Sequence, residues 1–226
     1  MRLTRAGTEN RQAHPACIAW IVLALFVALF APAALATGPD DQPSQPAEGA
    51  REEAAVDPVA RLVERVAAAG KLPEGLSFTQ RVTVRLLLLR WEFASRLKVQ
   101  DSTLHVTTDG APGFIPESLP RDLVELSGAL HLFDLHLVGE DEGLVLLEGL
   151  ARNYSGQGAR AGKFWVDTAR GHVVKADVEY EWGTLHLIQE YGPFREHSLL
   201  KRQSARLTPY PATLDVRYDD YAFATP

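Results

Sequence analysis

The chain has 226 residues, 46% of them hydrophobic, and a formal net charge of −6 at pH 7. This length and composition allow one globular domain with a substantial core. An acidic chain is a poor partner for nucleic acid or for an anionic bilayer surface, so we expect no nucleic-acid partner.

Residues 1–36 have the pattern of a secretory signal peptide. Three arginines precede the apolar run 18–30, and the small residues 34–36 form an A-x-A cleavage pattern. We therefore predict a periplasmic protein cleaved after Ala36, with an uncleaved membrane anchor as the alternative. Cleavage removes three arginines and one glutamate, which changes the formal charge from −6 to −8. It also removes Cys17, the only cysteine, so no disulfide or thiol site is expected.

Residues 37–56 are predicted to form a disordered linker. This stretch is rich in Pro, Gly, Gln and acidic residues and has almost no large apolar ones. Such a segment cannot bury enough apolar surface to offset the entropy lost on ordering. The folded domain is therefore predicted to span residues 57–226.

The domain is predicted to begin with an amphipathic helix. Asp57 is a good N-cap, Pro58 suits the first helical position, and Gly70 suits the C-terminal end. Between them, residues 59, 62, 63 and 66 are apolar at helical spacing. The apolar stripe indicates that this helix packs on another element, most simply a sheet.

The rest of the domain is predicted to be mainly antiparallel β-sheet. Runs of β-favouring residues or of alternating apolar and polar residues predict strands at 81–89, 90–99, 104–108, 131–138, 143–152, 164–168, 173–182, 184–191 and 214 onward. A short second helix is predicted at 120–126, and the polar residues 139–142 indicate a hairpin turn. The elements indicate an α+β, mostly β, meander of eight to ten strands with no βαβ alternation.

Motifs that would indicate catalysis are absent from the sequence. There is no G-x-S-x-G, Walker loop, G-x-G-x-x-G or H-E-x-x-H, and the six histidines after the signal are scattered. We expect these histidines to lie on the surface or in turns. The sequence therefore predicts a protein that is not an enzyme and that needs no metal or cofactor.

Several segments resemble the LolA-like family of outer-membrane lipoprotein-sorting proteins. The resemblance is found in LLEGLARN at 146–153, KFWVDTARGHVVKADVEY at 163–180, GTLHLIQEYGPF at 183–194 and LDVRYDDYAF at 214–223. It implies a strongly curved, unclosed half-barrel whose helices lie on the concave side. It also implies a cavity for the acyl chains of a lipid or lipoprotein. The arginine that tethers the lid helices in the family's type member could correspond to Arg81, Arg85 or Arg90, and none is preferred.

The candidate cavity residues are apolar or aromatic side chains of the predicted strands. They are Trp91, Phe93, Phe133, Trp165, Val178, Tyr180 and Trp182. Each of them could line a lipid cavity or fill the core between sheet and helix. Glu179 and its neighbours Asp177 and Glu181 are expected on the opposite, solvated face.

Two functions of different classes follow from this interpretation. The first is an exported, non-catalytic carrier of a hydrophobic ligand, with lipid or lipoprotein acyl chains and envelope membrane proteins as partners. The second is an envelope interaction or sensor module whose sheet is filled by its own side chains and binds no lipid. A hydrolase would need a buried cluster of histidine and carboxylate that the sequence does not show.

Overall fold

The computed structural model describes residues 57–152, 154 and 158–223, with no side chains described for 126–128. The predicted signal peptide and linker lie outside the described residues. Helix α1 (Pro58–Ala69) begins as predicted, because the Asp57 side chain accepts a hydrogen bond from the Val59 amide at 2.9 Å. Within the described residues, no helix is both long enough and apolar enough to cross a membrane.

Ten antiparallel strands make up most of the rest of the domain. They are β1 (Leu76–Leu86), β2 (Leu89–Gln100), β3 (Thr103–Asp109), β4 (Phe133–Asp141), β5 (Leu144–Ala151), β6 (Ala161–Asp167), β7 (His172–Tyr180), β8 (Gly183–Phe194), β9 (His197–Thr208) and β10 (Ala212–Phe223). Helix α2 (Leu119–Glu125) and a 3₁₀ helix (Leu126–Leu132) lie between β3 and β4. The predicted second helix is thus present, one residue earlier than expected.

The strands form a single unclosed sheet in the order β3-β2-β1-β10-β9-β8-β7-β6-β5-β4. Strands β3 and β4 are consecutive in the chain but lie at opposite edges. Their connection, residues 110–132, therefore crosses the sheet. The predicted class, a curved and unclosed antiparallel sheet with helices on its concave side, is confirmed.

The face of the sheet that the helices cover, here called the inner face, holds most of the core. Leu119 and Leu123 of α2 pack on the half formed by β1, β2 and β10. Val66 of α1 and Leu130 of the 3₁₀ helix pack with the half formed by β4 to β8. Apolar residues at alternate positions face these helices, while the other positions form an outer face rich in charge.

Four details of the predicted sheet are wrong. Strand β9 was not expected, because 197–208 mixes apolar and charged residues without regular alternation. The first strand begins at Leu76 rather than at residue 81, and its hairpin turn falls at 87–88. His131, expected in a strand, belongs to the 3₁₀ helix. The meander is also interrupted. Strand β1 pairs with β10, and β3 and β4 do not pair with each other within the described residues.

Candidate functional site

A cavity of about 450 Å³ lies between strands β2 and β3 and the chain that follows β3. It is lined by Phe93, Val106, Thr108, Gly110, Ala111, Pro112, Gly113, Ile115, Pro116, Glu117 and Pro120. Only Glu117 among these carries a charge, and its side chain is exposed. The volume lies within the range of about 300–1,000 Å³ typical of small-molecule sites. This part of the inner face therefore has room for a small ligand.

The strand side of the cavity follows from alternation along β2 and β3. Phe93 is buried, and Val106 pairs in register with the buried Leu97. The polar group in this wall is satisfied, because the hydroxyls of Ser95 and Thr108 are 2.9 Å apart. The wall thus offers apolar surface without an unpaired polar atom from these two residues.

The opposite wall is a proline-rich connection with its own hydrogen bonds. The Ile115 amide donates to the Pro112 carbonyl at 2.9 Å, and the Leu119 amide donates to the Pro116 carbonyl at 3.1 Å. Proline fixes φ and has no amide hydrogen, so these turns are stiff. At the adjacent end of β2, Trp91 contacts Phe114 edge-on, with ring centroids 5.2 Å apart.

Helix α2 is attached to the inner face by buried side chains. Gln80 donates to the Pro120 carbonyl at 3.1 Å, and Gln203 donates to the Leu123 carbonyl at 2.8 Å. The Tyr218 hydroxyl joins the two glutamines, because it accepts from Gln80 at 3.2 Å and donates to Gln203 Oε1 at 2.5 Å. Burial raises the pKa of Tyr218 well above its usual value. These contacts fix the helix whose first turn closes the cavity.

The three arginines considered as a tether lie elsewhere. Arg81, Arg85 and Arg90 are exposed on the outer face, where Arg81 contacts Asp219 at 3.5 Å and Arg90 contacts Glu92. In this chain the contacts to α2 come instead from the buried Gln80 and Gln203.

The predicted cavity residues divide into separate groups. Phe93 lines the cavity, and Trp91 lies at the adjacent end of its strand. Phe133 is buried against Phe164 in the other half of the sheet, and half-buried Val178 packs at the edge of that cluster.

The remaining three predicted residues lie away from the cavity. Tyr180 and Trp182 stack on each other at 4.6 Å near the β7–β8 turn. Trp165 faces the opposite way from its buried neighbours Phe164 and Val166 and lies under the Lys175 ammonium, 3.8 Å from the ring centroid. Of the seven candidates, Phe93 is the one that lines this cavity.

Sequence reasoning missed the cavity residues contributed by the connection. Ile115 and the prolines at 112 and 116 fall where the sequence predicts neither helix nor strand, and Pro120 is the first residue of the predicted second helix. The available indication was the apolar and proline-rich composition of 112–120, which is unusual for a solvated loop.

Two histidines differ from a simple surface position. His172 is buried, stacks on Tyr191 with ring centroids 4.0 Å apart, and has no hydrogen-bond partner at Nε2 among the described residues. The expectation of surface or turn histidines is therefore wrong for His172, whose pKa is lowered by burial.

His186 bridges three strands on the outer face. Its Nδ1 lies 2.9 Å from Asp177 Oδ1, and its Nε2 lies 3.0 Å from the Thr208 hydroxyl. A carboxylate, an imidazole and a hydroxyl follow one another here in the order found in a catalytic triad. The Thr208 hydroxyl, however, also donates a hydrogen bond to the Thr184 carbonyl at 3.3 Å. The contacts connect β7, β8 and β9.

No group of three or more metal-ligating side chains occurs in the part of the chain that the structure describes.

Comparisons with solved structures identify the fold. A DUF1329 family protein from Desulfovibrio piger matches with a TM-score of 0.53 at 10% identity, over 75% of this chain and 94% of that chain. A LolA superfamily protein from Nitrosomonas europaea matches with a TM-score of 0.48 at 9% identity, over 74% of this chain and 94% of that chain. A putative outer membrane lipoprotein-sorting protein domain from Vibrio parahaemolyticus matches with a TM-score of 0.49 at 13% identity, over 72% of this chain and 91% of that chain.

The likeness is one of fold alone at these identities. No protein-family model matches the chain, and no curated protein matches it. The chain shares its fold with the Desulfovibrio piger protein, and the resemblance of its sequence to the LolA-like family stays a prediction.

Proposed function

We propose that the protein is an exported, non-catalytic carrier or binder of a hydrophobic ligand in the cell envelope. The observation on which this proposal depends is the cavity of about 450 Å³ between β2, β3 and the 110–120 connection. The ligand class is the acyl chain of a lipid or lipoprotein, and burial contributes about 0.8 kcal/mol per methylene group.

The apolar side chains of the cavity suit an acyl chain. Phe93 and Ile115 are buried, and Val106 with three prolines supplies further apolar surface. Two polar groups of the wall already have hydrogen-bond partners, the Thr108 hydroxyl with Ser95 and the Pro120 carbonyl with Gln80. A ligand bound here would gain free energy mainly from burial of its own apolar surface.

A second function, an envelope protein-interaction module without a lipid ligand, is favoured by a different observation. The half of the inner face formed by β4 to β8 is filled by the chain's own side chains, with Val66, Leu147 and Val166 fully buried. The cavity thus occupies only the β2–β3 edge of the inner face. The two functions differ in whether that edge holds a ligand.

A space-filling substitution tests the carrier. Gly113 lines the cavity, and a Cβ added there would meet no atom within 4 Å. Gly113→Phe is therefore expected to fold and to occupy ligand space. Native mass spectrometry with lipid extraction, on protein purified without detergent from an exporting host, should show acyl lipid or lipopeptide with the wild type and loss of it with Gly113→Phe.

Gly139→Phe is the matched control. Gly139 lies in β4, far along the sheet from the cavity, and an added Cβ there also meets no atom within 4 Å. This variant should keep the ligand. A clean apo mass for the wild type, together with failure to take up a fluorescent fatty acid, would reject the carrier and favour the interaction module.

A further inference from the structure

The outer face of the sheet has a groove of about 540 Å³ across strands β2, β1, β10 and β9. It is lined by Arg81, Val82, Thr83, Arg85, Arg90, Glu92, Phe93, Ala94, Arg202, Asp215 and Arg217, and is here called the arginine groove. Five of these residues are arginines and two are acidic. The lining residues therefore have a formal charge of +3, which falls to +1 when Asp219 and Asp220, the ion-pair partners of Arg81, are included.

The arginines are in register across the strands. Arg81 of β1 pairs with Arg217 of β10, and Arg217 pairs with Arg202 of β9. Arg85 of β1 pairs with Arg90 of β2. Like charges directly opposite each other destabilise a sheet, so folding alone does not favour this arrangement. Sequence choices that oppose the fold are expected where a ligand or partner binds.

Carboxylates pair with four of the five arginines and so neutralise the groove only in part. Arg81 lies 3.5 Å from Asp219 and 3.9 Å from Asp220, beside the groove. Asp215 accepts from Arg202 at 2.5 Å and lies 3.6 Å from Arg217, so one carboxylate serves two guanidinium groups. Glu92 pairs with Arg90, and its pKa is lowered chiefly by that contact. Arg85 forms no ion pair within 4.0 Å with any described carboxylate. The groove keeps guanidinium donors available to an added anion.

We propose that the arginine groove binds an extended acidic segment of a partner protein. Arg81 and Arg85 are four residues apart on one strand, which separates the two rows of arginines by about 13 Å. An extended peptide lying along the strands places carboxylates at every fourth residue with the same separation. Guanidinium groups bind carboxylates in bidentate pairs. On β1 the small Thr83 lies between Arg81 and Arg85 and leaves room for a backbone; its register partners Glu92 and Asp215 are already paired with arginines.

Charge favours a peptide over an anionic bilayer as the occupant. A bilayer would bring the rest of this acidic protein close to a plane of negative charge, whereas a peptide contacts the groove alone. The proposal is independent of the cavity on the inner face and holds whether or not that cavity carries a lipid.

The test uses protein purified from an exporting host and a short fluorescein-labelled peptide with glutamate at every fourth position between serine and threonine. Fluorescence anisotropy should show binding that weakens as salt is raised and is lost when glutamine replaces glutamate. The double variant Arg85→Gln, Arg217→Gln should bind about tenfold more weakly, because it removes one exposed guanidinium from each row. Both side chains are exposed, so the variant should melt close to the wild type.

Arg195→Gln is the control, since Arg195 is an exposed arginine at the β8–β9 turn, outside the groove. Its affinity should stay within about twofold of the wild type. Equal weakening by Arg195→Gln, or equal binding of the glutamine peptide, would overturn the proposal. So would groove-dependent sedimentation with phosphatidylglycerol vesicles without peptide binding, or a dimer that the double variant abolishes.

Discussion

At the scale of single residues, His172 shows how a local pattern can mislead. It follows Arg170-Gly171, a turn that would be expected in solvent, yet the residue is only 5% exposed. The turn packs on α1, since an added Cβ at Gly171 would lie 3.2 Å from Arg65 Cγ. This contact joins residues more than a hundred positions apart, so the alternation within β7 predicted the strand but not the burial of its first residue.

The burial of His172 predicts a dependence of stability on pH. Burial lowers its folded pKa, Asp167 opposes that effect, and Arg170 adds to it. The unfolded chain therefore binds the proton more tightly. The contribution of His172 to the free energy of unfolding is complete above its pKa in the unfolded chain, about 6.5. This contribution decreases as the pH falls toward the pKa in the folded chain. His172→Phe keeps an aromatic ring against Tyr191 and removes the titration, so its melting temperature should decrease less between pH 7.5 and 5.5, by calorimetry.

His136→Gln is the control for this experiment, because His136 is exposed on β4. Its melting temperature should change with pH as the wild type's does. If His172→Phe shows the same decrease as the wild type, the neutral buried imidazole is not what links stability to pH in this range.

At the scale of elements, α2 is a seven-residue helix that depends on the sheet. Isolated helices of this length are unstable in water, so its position is set by tertiary contacts. The sequence predicted the helix, and an indication of its attachment was present. Gln80 interrupts the apolar positions of β1 between Phe78 and Val82. Its partners could not be predicted, because Gln80 and Gln203 meet through Tyr218 only after β1 pairs with β10.

Tyr218→Phe tests the attachment of α2. Loss of the hydroxyl leaves Gln203 Oε1 buried without its donor, which should cost about 1–3 kcal/mol of unfolding free energy. Denaturant unfolding measures this cost, and hydrogen exchange should show faster opening of the α2 amides. Tyr221→Phe is the matched control, since that hydroxyl donates to the Leu200 carbonyl and not to the α2 contacts. Equal exchange of α2 in both variants would show that Tyr218 does not hold the helix.

At the scale of the whole molecule, the strands could be predicted and their order could not. Alternation in β7 and β8 and the turn residues Glu142 and Gly143, both at positive φ, are local properties of the sequence. The pairing of β1 with β10 joins the two ends of the domain. Nothing local specifies it, because each strand has the same apolar face toward the helices. The cavity depends on it indirectly, since β10 carries the tyrosine that holds α2.

The β1–β10 pair is the connection through which the two halves of the sheet should unfold together. Val216 is fully buried and pairs with Val82, which is also buried. Val216→Ala should lower the unfolding free energy by roughly 2 kcal/mol or more, through lost burial and the cavity left behind. Thr213→Ala, at an exposed position of the same strand, should change it by less than about 0.5 kcal/mol. Native-state hydrogen exchange should show equal loss of protection in β2 and β6 with Val216→Ala. Loss confined to β1–β3 would mean that the β4–β9 half folds on its own and that this pairing joins two independent units.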